Sequence, residues 1–199
     1  MNHPPLGKRE TAKIERRDRL YDAALALFRE QGYEETTVDQ IAHRAGVAKG
    51  TFFNYFPTKD AVLRYMGARE IGRLGAASLS GSSKSAVGNL KRFMAALATS
   101  MERDRNLVKL IFTRGVDVAD LMCGDAGGFS VQPTAGLLIR RGQHLREINP
   151  DLDPDILAAA LDALYLQQLV RWCDAETPYP LVERLTGIVD LLMMGIAAR

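Results

Sequence analysis

TTVDQIAHRAGVAKGTFFNYF, residues 36–56, spells two short helices separated by a turn. Thr37 is placed to cap the first helix, and Gln40 three positions later completes a Thr-x-x-Gln capping box. Ile41 and Ala45, four residues apart, share one face. Gly46 can end that helix in a left-handed conformation with little steric cost, and Val47 packs into the turn. A second helix begins near Ala48, with Phe52 and Phe56 at the i, i+4 spacing of a buried stripe. Lys49, Gly50, Thr51, Phe53 and Asn54 then point elsewhere, a polar and cationic leading edge. This arrangement predicts a helix-turn-helix, whose second helix is suited to enter a major groove with its leading side chains at base edges.

Working outward, an earlier helix is expected from about Ala12 to Gln31, with Leu20, Ala24, Leu27 and Phe28 as its buried stripe and Gly32 as its stop. Residues 1–10 hold two prolines, a glycine and Lys8-Arg9, and read as a flexible basic arm. Pro57 ends the second short helix and Thr58 caps the next. Lys59 falls in that helix's first turn, where the dipole disfavours a cation and an arriving phosphate would reverse the problem. The helix continues to about Ala77, with Gly67, Gly72 and Gly75 inside it, as a connecting helix. The boundaries expected are 10–57 for a DNA-binding domain and 58–199 for a helical body, with 58–77 as the connector.

LSGSSKS (79–85) reads as a turn. Helices are expected at about Ala86–Glu102 and Asn106–Thr113, and a mobile glycine-rich connection at 117–133. A cationic helix over about Thr134–Ile148 carries Arg140, Arg141 and Arg146. Two apolar helices follow, from Asp153 or Pro154 to Cys173 and from about Pro180 to Ala197. Both hold more apolar surface than one core-facing stripe requires, which points to a two-fold helical interface between copies of the chain. Burial within a monomer core is the other use for it. Asp162 and Arg171 stand inside the apolar stretch 156–173, and a buried charge must be paired or meet a ligand.

Composition bounds the rest. The 199 residues, 47% apolar, supply a real core. The formal net charge is +2. Residues 1–64 hold 11 Lys and Arg against 9 Asp and Glu, and residues 65–199 hold 15 of each, so the small cationic excess lies in the N-terminal part. Cys123 and Cys173 form no metal-spaced cluster, nor do His3, His43 and His144, and no cofactor is implied. No apolar leader opens the sequence and no run approaches about 20 apolar residues. A cytoplasmic protein without membrane contact is expected. There is no nucleophile elbow, metal motif or CxxC pair, so the expectation is a non-enzyme.

The run from Leu20 to Leu63 resembles the N-terminal domain of the TetR family of bacterial transcriptional regulators. The likeness rests on Leu27, Phe28, Gly32, Thr36-Thr37, Ile41-Ala42, Ala45-Gly46-Val47, Gly50-Thr51, Tyr55-Phe56-Pro57, Lys59 and Leu63. Two positions depart from the family's habit. Ala48 stands where Ser is common, losing a hydroxyl cap worth roughly 0.5–2 kcal/mol. Phe53 stands where Tyr is usual and cannot donate to a phosphate, though it can touch a thymine methyl.

The resemblance implies an all-α protein, a three-helix DNA-binding domain joined to a helical domain for ligand binding and dimerisation. It implies a homodimeric repressor on a pseudo-palindromic operator, paired through the last two helices and released by a small-molecule effector. Lys49, Gly50, Thr51, Phe53 and Asn54 would approach bases, and Thr37, Tyr55 and Lys59 the phosphates. Phe93, Met94, Met101, Phe112, Asp162, Tyr165, Gln168 and Trp172 are candidates to line an effector pocket. Two other readings stay open: a DNA-bound protein-interaction module with no small ligand, and a helical enzyme built on the same fold.

Overall fold

The computed structural model describes residues 8–80, 84–114, 129–177 and 179–196, and every regular element among them is a helix. They fall into two units, Met1–Leu63 and Arg64–Arg199. The first holds α1 (Lys8–Gln31), α2 (Val38–Arg44) and α3 (Lys49–Phe53). α4 (Lys59–Ser80) starts in it and continues into the second. The second unit then carries α5 (Ala86–Arg103), α6 (Arg105–Arg114), α7 (Gln132–His144), α8 (Pro154–Asp174) and α9 (Leu181–Ile196).

In the N-terminal unit α2 packs on both α1 and α3. Leu20, Ala24, Leu27 and Phe28 are buried from α1, Ile41 and Ala42 from α2, and Phe52 from α3. Left-handed glycines mark two of the chain reversals: Gly32 (φ +86°) after α1 and Gly46 (φ +68°) after α2. Helix α1 begins earlier than its periodicity implies. Lys8–Glu10, assigned to a flexible arm, are helical, and Glu10 lies in the first turn where the dipole favours an anion. The remainder of that arm lies outside the described residues, as does most of the glycine-rich 117–133 connection with Cys123.

In the second unit α5 packs against α9 and α7, and α8 against α7, α9 and α6. Long-range caps tie these helices together. Glu147 accepts from the Val87 amide (2.9 Å) at the start of α5, where Ser85 is the N-cap. Glu102 accepts from the Leu181 amide (2.6 Å) at the start of α9, and Asp162 from the Val131 amide (2.6 Å) beside the start of α7. At the other end of α8, Arg105 donates to the carbonyls of Trp172 (3.0 Å) and Ala175 (2.6 Å). Each anion meets free amides and the cation meets free carbonyls, as orphaned helix ends require.

Two boundaries correct the sequence reading. Leu79 and Ser80, assigned to a turn, close α4, where the Ser80 hydroxyl donates back to the Ala76 carbonyl (2.9 Å). α7 spans Gln132–His144 rather than Thr134–Ile148. It is stopped by Arg146 at φ 61°, with the amides of Arg146 and Glu147 bonded to the carbonyls of Gln143 (3.1 Å) and Gly142 (2.9 Å). That is a Schellman termination with arginine where glycine is usual, so no glycine announced it. Ile148 is buried beyond the helix end.

Candidate nucleic-acid interface

The helix-turn-helix is built from its caps inward. Thr37 takes the N-cap of α2 in extended conformation, its hydroxyl accepting from the Gln40 amide (3.2 Å). The Gln40 side chain accepts from the Thr37 amide (2.8 Å) in return. Thr36 is buried and donates to the Gly32 carbonyl (2.7 Å), fixing the α1–α2 linker. Ala48 caps α3 without a side-chain hydrogen bond. What anchors α3 is apolar: Phe52 is fully buried, with its ring 5.7 Å from that of buried Phe56.

With those two rings turned inward, the opposite face is left to solvent. Lys49, Gly50 and Asn54 are exposed, Thr51 and Tyr55 are half-buried, and Phe53 is 48% exposed with its ring edge-on to Phe52. A Cβ added at Gly50 would meet no atom within 4 Å. Among the described residues, no internal packing demands glycine there. The Lys49 ammonium pairs with the Asp39 carboxylate at 2.8 Å. Arg44 forks onto Glu30, reaching 2.7 Å, and this hydrogen bonding holds the Glu30 carboxyl below its ordinary range.

Lys59 sits otherwise than its place in the first turn of α4 implies. Its ammonium turns back into the unit, donating to the carbonyls of Tyr33 (2.6 Å) and Thr36 (2.9 Å) and lying 3.9 Å from the centre of the Tyr33 ring. The Tyr33 hydroxyl donates to Asp60 beside it. Thr58 caps this end of α4, accepting from the Ala61 amide (3.2 Å). Asp39 and Tyr33 were not singled out in the sequence, and Thr36 only as part of the family likeness. Asp39 and Lys49 lie ten residues apart on different helices, and no helical period links them.

The effector-pocket candidates all fall in the second unit. Phe93, Met94, Met101 and Trp172 are buried, and Phe112 and Gln168 are half-buried. The Trp172 indole donates to the Tyr179 carbonyl (3.1 Å), and the Tyr179 hydroxyl to the Gln168 carbonyl (3.3 Å). Asp162 has protein partners: besides Val131, it accepts from the Ser130 hydroxyl (3.1 Å). Burial nevertheless raises its carboxyl above the ordinary value. Arg171, its companion in the sequence argument, is exposed. Tyr165 differs from all of these. It is fully buried, and its hydroxyl has no hydrogen-bond partner among the described residues. Burial, then the nearby Asp162, push its ionisation well above the usual value. No cluster of three metal-ligating side chains occurs among the described residues, and no helix is long and apolar enough to cross a membrane.

Comparison with known proteins places this geometry. The family profile described as bacterial regulatory proteins of the tetR family matches residues 20–66. The chain is 39% identical over 188 residues to the HTH-type transcriptional repressor KstR of Mycolicibacterium smegmatis, covering 92% of this chain and 89% of that one. It is 29% identical to the KstR of Rhodococcus jostii, over 92% and 84% of the two chains. Among solved structures, Thermus thermophilus FadR, a TetR-family repressor in complex with lauroyl-CoA, aligns with a TM-score of 0.74 at 26% identity. That alignment covers 92% of this chain and 96% of that one. The profile covers the reading head, and the relatives and the solved structure extend the likeness over 92% of the chain, which belongs to the TetR family of bacterial transcriptional regulators.

Proposed function

We propose that this regulator is a cytoplasmic repressor that binds a pseudo-palindromic operator as a homodimer and leaves it when an acyl-CoA thioester binds the C-terminal unit. The observation that carries the DNA reading is the face of α3 left outside by Phe52 and Phe56, with Lys49 and Asn54 exposed around a glycine that none of the described residues crowds. Lys49, Thr51 and Asn54 read base edges, Phe53 offers an apolar contact for a thymine methyl, and Gly50 admits close approach. Thr37 and Tyr55 fix the register on phosphates. Lys59, its ammonium committed to two carbonyls, braces these groups from behind.

The effector class rests on the likeness to a repressor solved with lauroyl-CoA. Phe93, Met94, Met101, Phe112 and Trp172 supply apolar lining, Gln168 a polar amide, and the Tyr165 hydroxyl a donor for an acyl oxygen. Asp162 holds the start of α7 instead of meeting the ligand. Release follows if the thioester binds better to a conformation whose two heads no longer match the half-site spacing of about 34 Å or a multiple of it.

The test is selection of bound duplexes from a random pool, then fluorescence anisotropy on the recovered sequence with and without lauroyl-CoA. A two-fold repeat released by micromolar thioester supports the proposal. A repeat that no acyl-CoA of any chain length releases would leave a DNA-bound protein-interaction module, and no recovered sequence at all would overturn the DNA reading.

A further inference from the structure

The cations beside the reading face are spoken for. Lys59 is turned inward, Arg44 is forked onto Glu30, and Lys49 is paired with Asp39. Of these three arrangements only the last involves a side chain that we assign to base edges. Both members are open to solvent, Lys49 at 56% and Asp39 at 65% exposure of their side chains. An exposed pair of this kind adds little to stability, because solvent screens the attraction and two side chains lose freedom. Asp39 follows the Thr37 cap by two residues in α2, so the capping box holds its backbone in place beside the reading helix.

We propose that Asp39 is a specificity-determining residue, which holds the Lys49 ammonium off phosphate and aims it at a guanine edge. This rests on the DNA reading given above. An ammonium carries three donors. One is taken by Asp39, leaving two for the N7 and O6 acceptors that guanine presents in the major groove. A phosphate in the same place would bring its negative charge up to the Asp39 carboxylate, whereas the guanine edge offers neutral acceptors. The carboxylate therefore acts as a filter. It penalises the sequence-independent contact that dominates non-specific binding and leaves the base contact available. Without it, Lys49 becomes one more phosphate-seeking cation.

The experiment uses the full-length protein, a duplex recovered by selection, and a scrambled duplex of equal length and composition. Asp39→Asn keeps the size and a carbonyl acceptor while removing the charge. Affinity for the scrambled duplex should rise about tenfold, and its dependence on salt should steepen by close to one released ion, with the slope of log K against log salt changing by about 0.9. Affinity for the selected duplex should change less, so that the ratio between the two falls about tenfold. In a Lys49→Ala background the same change should leave that ratio where it was, since the filter acts through the ammonium.

Equal gains on both duplexes, or the same gain with Lys49 absent, would show a uniform charge effect and overturn the assignment. No change on either duplex would reduce the pair to surface decoration and overturn it as well. Both outcomes require wild-type protein that binds the selected duplex. Failure of the wild type to bind any duplex strikes instead at the DNA reading itself. Thermal melts of each variant establish that α2 and α3 remain folded.

Discussion

Single residues carry the sharpest consequences, and Tyr165 is the clearest. A buried hydroxyl without a partner costs about 1–3 kcal/mol relative to one that is satisfied. Tyr165→Phe should therefore leave the free protein as stable as before or stabilise it by about 1 kcal/mol, a rise of roughly 2–4 °C in melting temperature for a chain of this size. A structural tyrosine would give the opposite sign. The thermal upshift produced by lauroyl-CoA should shrink in the variant, and an undiminished upshift would remove Tyr165 from the effector site. Asp162 makes a second prediction, this time in pH. Its folded-state carboxyl is raised above the ordinary 3.8 by burial, against hydrogen bonds from Val131 and Ser130 that pull it down. A raised acid favours the protonated form in the fold. The resulting penalty is full above the raised value, fades as the pH falls through it, and is gone below 3.8. Denaturant melts of wild type and Asp162→Asn should therefore shift relative to each other in favour of wild type between pH 7 and pH 4. A gap that does not move over that range would show that the carboxyl titrates alike in the folded and unfolded chain.

Among the elements, the first turn of α4 repays most attention, because the placement of Lys59 sets a bracing role against a phosphate contact. If its ammonium braces the α1–α2 linker, Lys59→Met strands the carbonyls of Tyr33 and Thr36. Two hydrogen bonds from a charged donor, partly open to solvent, make a loss of about 1–3 kcal/mol the reasonable expectation. The melting temperature should fall, while the slope of log K against log salt for operator binding stays where it was. A lysine acting on phosphate gives the reverse pattern: an unchanged melt and a slope flatter by about 0.9. The same turn explains why some of this protein is legible in sequence and some is not. The capping box at Thr37 and Gln40, the left-handed turn at Gly46 and the Phe52–Phe56 stripe lie within a few residues of one another, so spacing alone exposed them. The partners of Lys59 are 23 and 26 residues away, and those of Glu147 and Glu102 are 60 and 79 away. Periodicity carries no information about such pairings. Nor could it find the end of α7, where arginine occupies the position that glycine normally marks. Aromatic and methionine residues at helical spacing gave candidates for a pocket, but only burial with an unmatched hydroxyl separated Tyr165 from its neighbours.

For the molecule as a whole, the decisive quantity is the surface that the last two helices leave uncovered. On α8, Ile156 is 68% exposed and Val170 41%, and exposed Ala163 lies midway between them at a spacing of seven on each side. On α9, Leu191 is 64% exposed and Met194 85%, with exposed Gly187 and Gly195 near by. Large apolar side chains at these exposures, set among small residues on neighbouring helices, suit close packing against an identical pair in a second copy. Charge placed there should separate the copies without disturbing the core, since none of these side chains is buried within its own chain. Leu191→Glu combined with Met194→Glu should therefore retain its helical circular dichroism and sediment as a monomer at micromolar concentration. Two reading heads joined in one particle bind a paired site with the second contact made at high effective concentration. The monomer should accordingly lose at least about a hundredfold in affinity for the full repeat, while binding a duplex with a single half-site as the wild type does. Sedimentation that still reports a dimer would place the interface elsewhere. A monomer that keeps full affinity for the repeat would show that each chain reads its half-site without help from a partner.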